Sequence, residues 1–133
     1  MKGYLLNTNQ LSIGVRARSP VSVRLEEVRP RGVRVGTCVP ALCELEVGIH
    51  QVHDPIGYRP TLHVLLRRLR IWPITLQTSE LYGDIYNDLR RRGRALSQVD
   101  MMPAALCREL DLVLVTTDKD FAALPWLRTE NWA

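Results

Sequence analysis

Apolar residues along the chain recur in two rhythms, short unbroken runs and spaced stripes, and their order is the first guide to the fold. Tyr4-Leu5-Leu6 is a short apolar run that ends at Asn7-Thr8-Asn9, which predicts a buried strand with polar side chains at its carboxyl end. Ser19-Pro20 followed by Val21, Val23, Leu25 and Val28 predicts a short helix with Ser19 as N-cap and Pro20 in the first turn. Pro30 and Gly32 close it. Val33 to Val39 reads as a second strand, after which Pro40 opens a helix with Leu42, Leu45, Ile49 and Val52 on one face. Asp54-Pro55 starts another helix, where Leu62, Leu65, Leu66 and Leu69 recur with arginines between them, and Ile71 to Leu76 reads as a third strand.

Thr78 to Arg92 is helical by period, with Leu81, Ile85 and Leu89 on one side and Gly93 placed to cap its end. Ser97-Gln98-Val99-Asp100 has the spacing of a capping box before the apolar segment 101–110. Pro103 lies inside that segment and would remove a hydrogen bond there, so the helix is expected to begin effectively near Asp100. Leu112-Val113-Leu114-Val115 is a wholly apolar run bounded by Asp111 and by Thr116-Thr117-Asp118, the pattern of a strand buried on both faces and central in a parallel sheet. Strands alternating with helices predict an α/β sandwich with a mainly parallel sheet of about five strands, and in such sheets ligands gather beyond the carboxyl ends of the strands.

Length and composition narrow the class. A chain of 133 residues, 46% apolar and 24% charged, is the size of one compact domain, taken here as 1–133. No apolar run of about 18 residues occurs, and Lys2 passes to polar Asn7 too quickly for a signal peptide, so no membrane association and a cytoplasmic location are expected. Cys38, Cys43 and Cys107 form neither a disulfide framework nor a Cys-x-x-Cys pair and are expected to be core thiols. His50, His53 and His63 lack a companion ligand set and read as surface or partly buried histidines rather than a zinc site.

The net charge is +4, and sixteen of the eighteen basic residues are arginine, the others being Lys2 and Lys119. Arginine makes two-pronged contacts with phosphate, so a polyanionic partner is permitted. The arginines cluster at 16–34, at 67–70 and at 90–94. Phosphate binding needs such groups to converge, because local density of positive charge matters more than the total.

The candidate chemistry lies in polar positions at element ends: Asn7 after the first strand, Glu44 on a helix, Asp100 at a helix start, and Asp118 with Asp120 after the late strand. Singly each has an ordinary explanation, Asp100 and Asp118 as capping residues and Glu44 as a solvated helix residue beside Glu46. Together they resemble the PIN-domain family along nearly the whole chain. Leu5-Leu6-Asn7-Thr8-Asn9 is similar to that family's apolar run ending in Asp-Thr-Asn, with Asn7 where the family has its first catalytic aspartate. Glu44-Leu45-Glu46-Val47-Gly48 resembles its Glu-Leu-x-x-Gly helix. Gly93 to Asp100 with Ala104-Ala105 resembles its third acidic motif, although the family has an aliphatic residue where this chain has Pro103. Thr116-Thr117-Asp118-Lys119-Asp120-Phe121 resembles its last, and Leu127 to Trp132 is similar to the endings of VapC-type toxins.

The resemblance implies a PIN-like α/β/α sandwich and a metal-dependent RNA endonuclease, the toxin of a type II toxin–antitoxin pair. Glu44, Asp100, Asp118 and the altered position Asn7 would form the catalytic set, with these and Asp120 around Mg²⁺ or Mn²⁺. Asp118 is the first choice as the metal-facing acid, and Asp120 would act through water or cap the short helix containing Phe121. Thr8, Asn9, Thr116 and Thr117 are expected to orient acids or metal waters. Implied partners are an RNA substrate, a cognate antitoxin, promoter DNA through the antitoxin only, and a second copy in a homodimer. Asparagine keeps the size of aspartate without its charge, so the chain is expected to cleave RNA poorly or not at all, whether the substitution is engineered or natural. Two other classes remain: a binding module for an antitoxin, with the apolar stripes at 42–52 and 62–69 as core or, where exposed, as partner surface, and a structure-specific DNA nuclease.

Overall fold

A computed structural model describes residues 3–133; Lys2, used above against a signal peptide, lies outside them. Five strands, β1 (Gly3–Leu6), β2 (Val35–Cys38), β3 (Arg70–Trp72), β4 (Leu112–Val115) and β5 (Thr129–Glu130), form one sheet in the order β3-β2-β1-β4-β5. Every neighbouring pair is parallel. Among the described residues six α-helices connect and flank the strands: α1 (Thr8–Gly14), α2 (Pro20–Val28), α3 (Val39–Ile49), α4 (Pro55–Leu66), α5 (Leu76–Arg91) and α6 (Gln98–Leu110). The α/β class and the parallel sheet of five strands are therefore as expected. No helix among the described residues is long and apolar enough to cross a membrane.

Local signals explain most boundaries. The Ser19 hydroxyl accepts from the Ser22 N–H at the start of α2, Asp54 accepts from Gly57 at the start of α4, and Ser97 accepts from Asp100 at the start of α6. Gly93, at φ +65°, ends α5 in the left-handed region that glycine enters without penalty. Leu5, Leu6, Leu114 and Val115 are fully buried where β1 and β4 pair, in register from Gly3 with Leu112 to Leu6 with Val115.

Several expectations are corrected. The third strand stops at Trp72, not Leu76, because Pro73 has no N–H to continue the ladder and because Thr75 with Thr78 forms a capping box that starts α5 at Leu76. α6 begins at Gln98, ahead of Asp100, since Ser97 caps it; Pro103 is accommodated in its second turn. β4 is interior, but β1 is the middle strand. Helix α1 and the two-residue β5 had no signal in the apolar pattern. Val23 is half exposed, while Val21, Ser22, Leu25 and Val28 make the buried face of α2.

Of the three cysteines, Cys38 and Cys107 are buried, but Cys43 is exposed on α3, against the expectation of three core thiols. Burial pushes the Cys38 thiol up to about 11 and the Cys107 thiol higher still, so neither forms much reactive thiolate near neutral pH. A thiol reagent at pH 8 is therefore expected to modify one cysteine per native chain, Cys43, and all three in denaturant. Mass mapping of two or three modified sites in the native chain would refute this burial assignment.

Candidate active site at the switch point of the sheet

From the central strand β1 the chain crosses first toward β2 and β3 and later returns to β4 on the other side. The carboxyl ends of β1 and β4 thus flank the switch point, where crossovers leave in opposite directions and a crevice opens. Asn7 follows β1 directly and is buried, with its N–H bound to the Val115 carbonyl at 3.0 Å. Its Nδ2 donates to Thr116 Oγ1 at 3.4 Å, and no protein donor reaches its Oδ1 among the described residues.

Thr116 acts as a hub. Its Oγ1 also accepts from Asn9 Nδ2 at 3.2 Å and from the Asp118 N–H at 3.0 Å, while Asn9 Oδ1 accepts from the Thr117 N–H at 3.3 Å. The Thr8 hydroxyl donates to Glu44 Oε1 at 2.9 Å and lies 3.3 Å from the Ala41 carbonyl. Glu44 is exposed, and this hydrogen bond ties it to the segment that follows β1. Its neighbour Glu46 is exposed too, but Arg59 clamps it, with Nη2 at 2.8 Å, and holds its carboxyl below the usual range. Of the four residues expected to orient acids, Thr8 holds the Glu44 carboxylate and Thr116 the Asp118 backbone, whereas Asn9 joins Thr116 to the Thr117 N–H and the Thr117 side chain makes no contact with an acid among the described residues.

Asp100 is half-buried on the first turn of α6. Burial raises its pKa first, a hydrogen bond from Ser97 works the other way, and the negative charges of Asp118, Glu44 and Asp120 raise it further. Asp100 therefore feels acids from two other stretches of the sequence. Asp118 Oδ1 accepts from the Asp120 N–H at 2.9 Å and is the N-cap of the short 3-10 helix Lys119–Ala123. The capping role entertained for Asp120 falls to Asp118, because the chain turns immediately after it. Asp120 is exposed in the first turn.

Among the described residues, no three His, Cys, Asp or Glu side chains stand close enough together to hold a metal ion. With position 7 neutral, the cluster lacks a carboxylate at its most buried point. The oxygen donors that remain suit a hard cation bound through one or two carboxylates and water, the usual mode for Mg²⁺; they do not form a closed cage. His50, His53 and His63 are all exposed and away from any such group.

Two contributors escaped the sequence reading. The Thr37 hydroxyl, in buried β2, donates to the Leu6 carbonyl at 2.7 Å and so fixes the peptide that leads into Asn7. Gln10 is fully buried; its Nε2 donates to Asn131 Oδ1 at 3.1 Å and its Oε1 accepts from the Trp132 N–H at 3.3 Å, fastening the tail to α1. Thr37 carried a usable signal, a polar residue near the carboxyl end of an apolar run, as at Asn7. Gln10 carried none.

An all-parallel sheet in this order, with acids and amides gathered at its switch point, is the arrangement of a PIN domain. The chain belongs to the PIN domain family, which it matches over residues 5–127. Its homologues are VapC ribonucleases. Ribonuclease VapC2 of Rickettsia felis is 23% identical over 130 residues, 97% of each chain, and ribonuclease VapC2 of Haemophilus influenzae is 27% identical over 133 residues, 99% of each. The fold is shared with a chain of the Rickettsia felis VapBC2 crystal structure bound to a promoter DNA fragment, at TM-score 0.87 and 23% identity over 98% of each chain. DNA-bound VapBC from Salmonella typhimurium gives 0.87 at 23% identity over the whole of both chains.

Proposed function

We propose that this chain is the toxin of a VapBC-type pair, a metal-dependent RNA endonuclease by architecture whose catalysis is disabled at position 7. The observation that carries the reading is the place of Asn7: buried at the switch point, its amide spent on Thr116, whose hydroxyl also holds the Asp118 backbone, at the end of the sheet where burial and the charges of Asp118, Glu44 and Asp120 raise Asp100. PIN-domain ribonucleases depend in general on divalent metal. The ion would sit in the cleft that Glu44, Asp100 and Asp118 border, taken directly by one or two of these carboxylates and by the rest, with Asp120, through water, and an aspartate at position 7 would complete the set. Bound there, Mg²⁺ or Mn²⁺ would supply Lewis acidity, an ionised water and charge compensation at the phosphoryl oxygens. The chain's own part is positioning: Thr8 holds Glu44, Thr116 holds the Asp118 backbone, and Thr37 fixes the approach to residue 7.

Substrate class is tested by offering labelled structured RNA, single-stranded DNA and duplex DNA to the Asn7→Asp chain with Mg²⁺ or Mn²⁺. RNA scission with intact DNA is the expected result. DNA scission without RNA scission would move the structure-specific DNA nuclease ahead, and no scission by a folded chain would leave an antitoxin-binding module.

The antitoxin is part of the same reading, together with homodimerisation and contact with promoter DNA through the antitoxin only. The stripes at 42–52 and 62–69 are mostly core, since Leu45, Ile49, Leu62 and Leu65 are buried. Partner surface lies instead in an apolar groove of about 610 Å³ bordered by Val39, Cys43, Val47, Ile74 and Met102, which adjoins Glu44. Val47 is 64% exposed, so Val47→Asp is expected to leave the melting temperature unchanged. It should weaken binding of the co-encoded antitoxin about 30-fold, the equivalent of about 2 kcal/mol at an apolar anchor. Titration calorimetry reads both affinities, and equal values would place the antitoxin elsewhere.

A further inference from the structure

Two arginine clusters that are far apart in sequence converge, but not on the acids. A recess of about 250 Å³ is lined by Arg29, Arg67, Arg68 and Arg70 together with Val33 and Leu69, and none of its lining residues is acidic. Arg70 opens β3, and Val35, also in the lining, opens β2, so the recess lies at the amino ends of strands whose carboxyl ends face the active site. β2 has four residues, so at about 3.3 Å per residue the two sites are separated by at least about 13 Å.

The charge here is under-compensated. Glu26 is the one carboxylate paired with the group: Arg68 Nη1 lies 2.6 Å and Arg29 Nη1 3.4 Å from the same Oε1. Those guanidiniums, Arg68 first, hold Glu26 below the usual carboxylate range, so it stays ionised, and one carboxylate is set against four arginines. Arg67 and Arg70 pair with no carboxylate among the described residues. Arg68 Nε is buried without an acceptor, an unmet donor of the kind that usually has an explanation. Like charges held this close repel unless an anion lies among them, and planar guanidiniums match phosphate oxygens two at a time.

We propose that this recess binds backbone phosphates of the RNA substrate, as a holding site remote from the acidic cleft. The proposal rests on the ribonuclease reading for the identity of the polyanion. A concavity of this volume has room for one or two phosphates of a single strand. A folded RNA can reach both sites and a short oligonucleotide cannot, so the recess favours folded RNA through KM rather than kcat.

The test uses the chain as it stands, which on the reading above binds RNA without cutting it, and compares it with Arg67→Ala/Arg70→Ala and with Arg67→Lys/Arg70→Lys. Fluorescence anisotropy with a labelled stem-loop RNA should show affinity falling roughly tenfold in the alanine pair. The slope of log K against log salt should become shallower by about 1.4, as for two lost single-strand phosphate contacts. The lysine pair, which keeps charge but loses two-pronged geometry, should fall between. In the Asn7→Asp background the alanine pair should raise KM for the stem-loop and leave cleavage of a short oligonucleotide unchanged. Unaltered affinity and salt slope would overturn the proposal, as would equal loss in a charge-matched Arg90→Ala/Arg91→Ala pair, or a loss seen with duplex DNA and not with RNA. Absence of any RNA binding would also overturn it, and short-oligonucleotide cleavage by Asn7→Asp would then decide the ribonuclease reading separately.

Discussion

Asn7→Asp is expected to raise RNA cleavage by on the order of 10³-fold in the presence of Mg²⁺ or Mn²⁺, the scale at which one well-placed charge-stabilising group acts. The gain should vanish with chelator and with Glu44→Gln in the same background. The substitution should have an opposite effect on stability without metal. Residue 7 is 4% exposed, and a carboxylate there would lose hydration and stand near Asp118, whose N–H shares the Thr116 hydroxyl with residue 7. Both effects push a pKa upward. The folded form would then bind a proton more tightly than the unfolded one, so the destabilisation is absent at low pH and develops as pH rises through the ordinary carboxylate range toward neutrality. Added Mn²⁺ should restore the melting temperature at neutral pH, because a ligand bound only by the folded state stabilises it. The Asn7 chain should show a much smaller metal response. If both chains melt alike in chelator and neither responds to Mn²⁺, the acids do not form a metal site, even if the fold is intact.

How much of this was legible in the sequence depended on the range of the interaction. Leu112–Val115 and Tyr4–Leu6 announce themselves because a strand buried on both faces must be apolar throughout, and the helix starts at Ser19, Asp54 and Ser97 because a cap acts within three residues. β5 has two exposed residues and exists only because β4 offers it an edge. No local pattern encodes that. The apolar run continues through Ile74 to Leu76 and hides the end of β3, because Pro73 and the Thr75 cap outweigh hydrophobicity there. At the site, Asn7, Glu44, Asp100 and Asp118 could be named, because the resemblance fixes their positions. Their connections could not: Thr8 reaching Glu44 spans 36 residues, and Asn9 reaching Thr116 spans 107. The arginine recess was half legible, its clusters plain and their meeting place set by which strands begin side by side.

The edge pair β2–β3 carries the second large effect. Gly36 pairs with Leu5 on one side and with Arg70 on the other, and a Cβ there would run into the Arg70 carbonyl and lie 2.8 Å from Trp72 Cζ3. A side chain can turn aside, but a backbone carbonyl in a ladder moves only if the strands part. Gly36→Ala is therefore expected to destabilise the chain by about 3 kcal/mol, at the upper end for overpacking a buried site. Reduced freedom of the unfolded chain offsets only about 0.4–1 kcal/mol of the clash. Urea unfolding should show a lower midpoint with an unchanged slope, since the surface exposed on unfolding is nearly the same. The next residue, Thr37, holds the Leu6 carbonyl, so a shift of β2 is transmitted toward residue 7, and cleavage by the Asn7→Asp chain should fall even in the fraction that stays folded. A neutral Gly36→Ala would mean that β3 slides outward at little cost. In that case Arg70 is not fixed relative to Arg29, and the arginine recess takes its shape only when an anion is bound.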